Sequence, residues 1–169
     1  PAFELRGDWR DLSWPLAGAP RISSPAGQFE VSGSAEDYSV NLDTSLAVPG
    51  QADGQLSLSG RGGSQAFELD DLQLNLLDGT LAGRGKLQWR PDIQGAVTLD
   101  GSGLDPSVLA PAFPGNLQLS LRAEGGISDG KADAEIETLR VSGILRQRPL
   151  DVLVKGGLHN AQLRLDTLT

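Results

Sequence analysis

Apolar and polar residues alternate with a period of two along most of the chain. Tyr38, Val40, Leu42, Leu46 and Val48 alternate with Ser39, Asn41, Asp43, Ser45 and Ala47. Side chains on a β-strand point to opposite faces in turn, so this spacing sets one face against apolar material and the other in water. The pattern returns at Phe29/Val31, Leu56/Leu58, Phe67/Leu69, Leu72/Leu74/Leu76, Leu87/Trp89 and Val97/Leu99. It continues at Leu117/Leu119/Leu121, Ile136/Leu139/Val141, Leu150/Val152/Val154 and Leu163/Leu165. Turn signals punctuate these runs. Asp53-Gly54, Asp78-Gly79, Asp100-Gly101 and Asp129-Gly130 are residue pairs that tolerate the positive φ of a type I′ hairpin turn. Pro49-Gly50, Pro114-Gly115 and the Gly pairs at 62–63, 125–126 and 156–157 mark further turns or bulges. The spacing predicts an all-β antiparallel meander with strands of about five to seven residues. One short helical turn is expected near residues 105–110, with Asp105 as N-cap, Pro106 in the first turn and Pro111 as the stop.

The apolar strand residues are mostly Leu, where globular strands favour Val, Ile and aromatics. With 3 Trp, 4 Phe and 1 Tyr, bulky core fillers are few. Two architectures fit: a sheet that curls into a hydrophobic groove, or a Leu-packed sandwich. The residues sharing one phase of the alternation, Val40, Leu42, Leu56, Leu58, Leu72, Leu74, Leu76, Leu119 and Leu121, are the candidate groove lining.

Composition narrows the function classes. The formal charge is −8 and no basic patch is clustered, which argues against nucleic acid and against docking on an anionic bilayer. No Cys is present, so disulfides and thiolate sites are excluded. No run of 18 apolar residues exists, so no membrane span is expected. The chain starts at Pro1 without Met and stops at Thr169; it reads as one β-rich segment, 1–169, of a longer chain, divisible into sub-halves 1–103 and 112–169 about the helical turn.

Catalytic signals are poor. His159 is the only histidine, which excludes a His-based metal cluster. Ser128-Asp129-Gly130-Lys131 matches the S-x-x-K spacing of a serine–lysine nucleophile, but its Asp-Gly reads as a hairpin turn. Gly83-Arg84-Gly85-Lys86 lacks the Ser or Thr that a phosphate loop needs after its Lys, and small residues within a strand explain it better. Glu36-Asp37 and Asp70-Asp71 lack calcium-loop spacing and read as solvated turns and edges. Trp9, Trp14 and Trp89 are expected to cap strand ends rather than contact a ligand. Neither catalytic residues, nor a cofactor, nor a metal are expected.

Taken in order, several blocks resemble the TamB family. They are Trp9-Arg10-Asp11-Leu12-Ser13-Trp14-Pro15-Leu16, Ser24-Pro25-Ala26-Gly27 with Asp37-Tyr38, and Asp78 through Pro91 (Asp-Gly-Thr-Leu-Ala-Gly-Arg-Gly-Lys-Leu-Gln-Trp-Arg-Pro). Gly103-Leu104-Asp105-Pro106 and Phe113-Pro114-Gly115-Asn116-Leu117 complete the series, with Phe113 where the family pattern has Trp. The resemblance covers most of the chain and implies a sheet curled into a taco-like trough with an apolar interior. It also implies a periplasmic segment of a Gram-negative protein anchored in the inner membrane. Its expected partners are TamA, an outer-membrane barrel protein, and either phospholipid acyl chains or unfolded outer-membrane protein. The expected role is a periplasm-spanning scaffold for phospholipid transport to, or protein assembly in, the outer membrane. The competing reading is a structural β-stalk or adhesin passenger with a packed core and no cargo; a carbohydrate-active sandwich enzyme ranks last, for want of an acid pair.

Overall fold

The computed structural model describes residues 2–14, 22–47, 53–76, 78–108, 110–128, 131–159 and 162–168; the side chains of Trp14, Ile22, Leu76, Val108, Gln162 and Leu163 are not described. The strands are β1 (Ala2–Trp14), β2 (Ile22–Ser34), β3 (Tyr38–Leu46), β4 (Gly54–Gly62), β5 (Ala66–Leu76) and β6 (Gly79–Gln88). They continue with β7 (Ile93–Leu104), β8 (Gly115–Ser128), β9 (Lys131–Leu145), β10 (Arg148–His159) and β11 (Gln162–Leu168). They form one 11-stranded antiparallel sheet in strictly sequential order. β1 and β11 stay unpaired with each other, so the sheet is an open trough and not a barrel.

Among the described residues no second layer covers this sheet. Among the described residues no hydrophobic side chain is fully buried, and the polar Ser24, at 8% exposure, is the one buried side chain of its class. The residues of the apolar face shield one another instead, and mid-sheet positions such as Leu56, Leu72 and Leu119 are half-buried with nothing over them. At the two open edges that mutual shielding fails: Leu5 on β1 is 56% exposed and Leu168 on β11 is 65% exposed. Register shifts at Ser59/Gly60, between Leu69 and Leu72, at Arg122/Ala123 and around Lys155 are β-bulges, which bend strands and strengthen their twist.

The strands run from 7 to 15 residues, longer than the sequence spacing predicted. The reason is that several Gly-containing pairs lie inside strands. Asp100-Gly101 is no turn: Asp100 pairs with Ala82 and Ser120, Gly101 with Leu81 and Leu119. Gly125-Gly126 likewise lies within β8, and Gly156-Gly157 lies within β10, directly after the register shift at Lys155. Asp53-Gly54 leads into β4. The Asp78-Gly79 signal marks a real hairpin, but Gly79 already pairs with Leu76 while Asp78 takes the positive φ of 57°. A turn that the sequence did not announce links β9 to β10, where Arg146 and Gln147 have φ of 51° and 63°. Pro49-Gly50, Val48 and Asp129-Gly130 lie outside the described residues.

The expected helical turn is a three-residue 3-10 helix, Pro106–Val108. Asp105 caps it as predicted: its Oδ1 accepts from the Ser107 N–H at 2.9 Å and from the Gly115 N–H at 3.0 Å. Those bonds lower the Asp105 carboxyl below the ordinary aspartate value, the Ser107 backbone bond foremost. By joining both ends of the β7–β8 loop through one carboxylate, Asp105 lets the two strands pair on either side of it.

Candidate functional site

The register fixes the site. Directly paired residues in an antiparallel sheet share a face, so rows of partners can be followed across the strands. One row runs Gly7, Phe29, Leu42, Leu58, Leu72, Gly83, Leu99, Leu121, Leu139, Val154, Leu168. The next on the same face runs Trp9, Gly27, Thr44, Leu56, Leu74, Leu81, Gly101, Leu119, Val141, Val152. A third runs Leu5, Val31, Val40, Gly60, Leu69, Gly85, Val97, Ala123, Ile136, Gly156, Leu165. No charged residue occurs in these rows. The polar row between the first two shows the other face: Asp8, Gln28, Asp43, Ser57, Gln73, Ala82, Asp100, Ser120, Arg140.

Val40, Leu42, Leu56, Leu58, Leu72, Leu74, Leu119 and Leu121 thus fall on one face, spread over β3, β4, β5 and β8. Leu76 shares their register through its pairing with Gly79, although its side chain is outside the description. Phe29, Leu81, Leu99, Leu139, Val141 and Val152 belong to the same rows and were not singled out from the sequence. Their signal was present, since each alternates within its own strand; what was lacking was the pairing that joins the strands. At about 3.3 Å per residue and about 4.8 Å per strand the sheet measures roughly 40 Å by roughly 50 Å, long enough for an extended acyl chain in either direction.

Glycines thin this face where rings lie across it. A Cβ at Gly27 would overlap the Trp9 indole, one at Gly7 the Phe29 ring, one at Gly62 the Tyr38 ring and one at Gly60 the Phe67 ring. Each ring lies flat over its cross-strand glycine instead of standing up into the trough. Trp9 also carries a polar cluster on this face. Its Nε1–H donates to Ser24 Oγ at 2.7 Å, and Ser24 Oγ shares a hydrogen with Thr44 Oγ1 at 2.6 Å. Trp9 is therefore an in-strand residue of the apolar face, not the strand-end cap expected of it. Trp89 is such a cap: its Nε1–H donates to Ser64 O at 3.0 Å.

The polar face is laced by charge. Arg61 grips Asp70 with Nε and Nη2 at 2.9 and 2.8 Å, and Arg140 grips Asp151 at 2.9 and 2.6 Å. Hydrogen bonding to the guanidinium holds both aspartates below the usual carboxylate range. The sheet's twist leaves open recesses on this face. One of them, about 690 Å³, is lined by Lys86, Gln94, Glu124, Asp133, Glu135 and His159 among others. His159 is exposed there and bonded to Asp133 at 2.6 Å. Ser128 and Lys131 pair directly at the start of the β8–β9 hairpin. In β6, Gly83 and Gly85 sit in the apolar rows while Arg84 and Lys86 pair with Thr98 and Ala96, a strand and not a phosphate loop. Among the described residues no group of three His, Cys, Asp or Glu is placed to hold a metal. Also among them, no helix is long and apolar enough to cross a membrane.

No solved structure matches the chain. The family model for the TamB N-terminal domain matches residues 1–168. The chain therefore belongs to the TamB family, Gram-negative envelope proteins of outer-membrane biogenesis that work with TamA.

Proposed function

We propose that this segment is a periplasmic stretch of a scaffold whose trough holds phospholipid acyl chains on their way to the outer membrane. The observation that carries this reading is the uncharged apolar rows, continuous across the 11-stranded sheet and, among the described residues, covered by no second layer. A soluble protein rarely leaves so large an apolar surface open unless something occupies it. Each methylene transferred from water to such a surface gains about 0.8 kcal/mol, so a chain laid along these leucines offsets much of the cost of leaving a bilayer. Leu and Val make no directional bonds, so a bound chain can shift from row to row. A packed stalk would need an enclosed core, and none of the described hydrophobic side chains is fully buried. An unfolded outer-membrane strand is the second reading, favoured by the unpaired edges of β1 and β11, which offer backbone partners.

The test is mass spectrometry of lipids that copurify without detergent, with Leu74→Asp plus Leu119→Asp as the comparison. Phospholipid on the wild type that is absent from the variant is the expected outcome. No lipid on the wild type moves the weight to the unfolded-strand cargo.

A further inference from the structure

One end of the apolar rows breaks the rule that the face carries no charge. Arg148 opens β10 opposite Leu145, which pairs in turn with Gly115, and this row continues the apolar register. Among the described strand residues of that register Arg148 is the single charged one. It sits on a lip of the trough, beside the turn that holds Arg146. That turn is built at a cost: Arg146 and Gln147 both adopt positive φ, where Asn-Gly would be relaxed. The turn is also held in place. Its Arg146 N–H donates to Pro114 O at 2.7 Å, and the Arg146 guanidinium lies 5.7 Å from the centre of the exposed Phe113 ring. Neither arginine forms an ion pair among the described residues, a state they share with Arg10, Arg84, Arg90 and Arg122, none of which lies in the apolar register.

We propose that Arg146 and Arg148 bind the headgroup phosphate of a phospholipid whose acyl chains lie on the apolar rows below them. The inference rests on the acyl-trough reading and adds a selecting element to it. Two guanidinium forks suit a phosphate's oxygens, and the aromatic face of Phe113 steadies one of them. A lipid in a trough of this kind keeps its headgroup at a lip, because the described apolar rows of β8–β10 beside Arg148 hold no polar side chain that could solvate a phosphate. Leu145 and Leu150 place apolar contacts within a residue or two of Arg148 on β9 and β10, which favours an amphiphile over a free phosphate.

The experiment measures uptake, by the intact protein, of phosphatidylglycerol and of diacylglycerol with identical chains from neutral carrier vesicles. Wild type is expected to prefer phosphatidylglycerol by about tenfold, as two charge-assisted contacts allow. Arg146→Gln plus Arg148→Gln should bring the ratio near one with diacylglycerol uptake unchanged, and Arg148→Lys should keep part of it. An undiminished preference in the double variant, or an equal loss of both lipids, overturns the headgroup site and leaves the trough standing. Displacement of phosphatidylglycerol by glycerol phosphate at comparable affinity reassigns the arginines to soluble phosphates and also overturns it. No uptake of either lipid by wild type overturns the trough reading, and this one with it.

Discussion

The apolar face is made in two ways. Over β1–β5 it is aromatic on glycine: Trp9, Phe29, Tyr38 and Phe67 each cover a cross-strand glycine, and the Trp9–Ser24–Thr44 cluster adds polar atoms. From β6 onward the described rows hold Leu, Val, Ile, Ala and Gly, with no ring and no hydroxyl. The two regions share register, strand order and open exposure, so the difference lies in the lining alone. Flat rings fix the local height of the surface, because an indole or phenyl has few rotamers and its cross-strand seat is already occupied. Aliphatic chains above small residues can change rotamer and fill around an irregular guest. On these rotamer grounds the ring-covered N-terminal strands are expected to be the stiffer part of the apolar face, and the aliphatic C-terminal strands the more adaptable part.

Glycine substitution breaks this comparison most strongly. Gly27→Ala drives a methyl into the Trp9 ring and should destabilise by about 2 kcal/mol. Gly95→Ala meets its nearest atom, Lys86 O, at 3.5 Å, an ordinary contact, and should be neutral or gain about 0.5 kcal/mol from reduced unfolded-state freedom. Urea denaturation of the two variants reads the difference, and equal effects would remove the distinction between the regions. Next in size is Trp9→Phe, which keeps a ring over Gly27 but deletes the donor to Ser24. A loss of about 1 kcal/mol is expected, since Ser24 retains Thr44 as partner. Thr44→Val in the same background should then cost more than it does in wild type, because Ser24 loses its remaining side-chain partner.

The smallest effect sharpens the comparison from the opposite side, where the two regions should behave alike. Asp70 in β5 and Asp151 in β10 are both held below the ordinary aspartate value of 3.8 by an arginine. A carboxylate lowered in the folded state adds stability that is present above its unfolded value and is lost as pH falls through the lowered one. Stability should therefore be insensitive to these pairs from neutral pH down to about 4, then fall below it. Asp70→Asn and Asp151→Asn should flatten that acid limb to a similar small extent in thermal melts across pH. A large effect from one alone would show that its pair does more than decorate an exposed face.

Period two was readable from sequence because it needs no knowledge of neighbours: Val40, Leu42, Leu56 and Leu58 declare a face within their own strands. Pairing was not readable, and so Leu81, Leu99 and Val141 could not be assigned to the same surface. The Asp-Gly rule failed at Asp100-Gly101 because there the glycine serves a face and not a turn; Leu104 and Leu81 fill the space its missing side chain leaves. The Arg146-Gln147 turn was silent for the opposite reason, since its residues lack the composition that positive φ normally demands. Trp9 was misplaced because a ring at the apolar phase of a long strand looks, in one dimension, like a ring near its end.

The strictly sequential strand order has a consequence for how such a protein can change over evolutionary time. Every strand depends only on the ones made just before and after it, so duplication or loss of one hairpin leaves all other pairings intact. Each such event alters the reach of the sheet by about 10 Å while returning the chain to the same lip and the same phase. Length is thus a property this architecture can adjust in discrete steps without redesigning its surface.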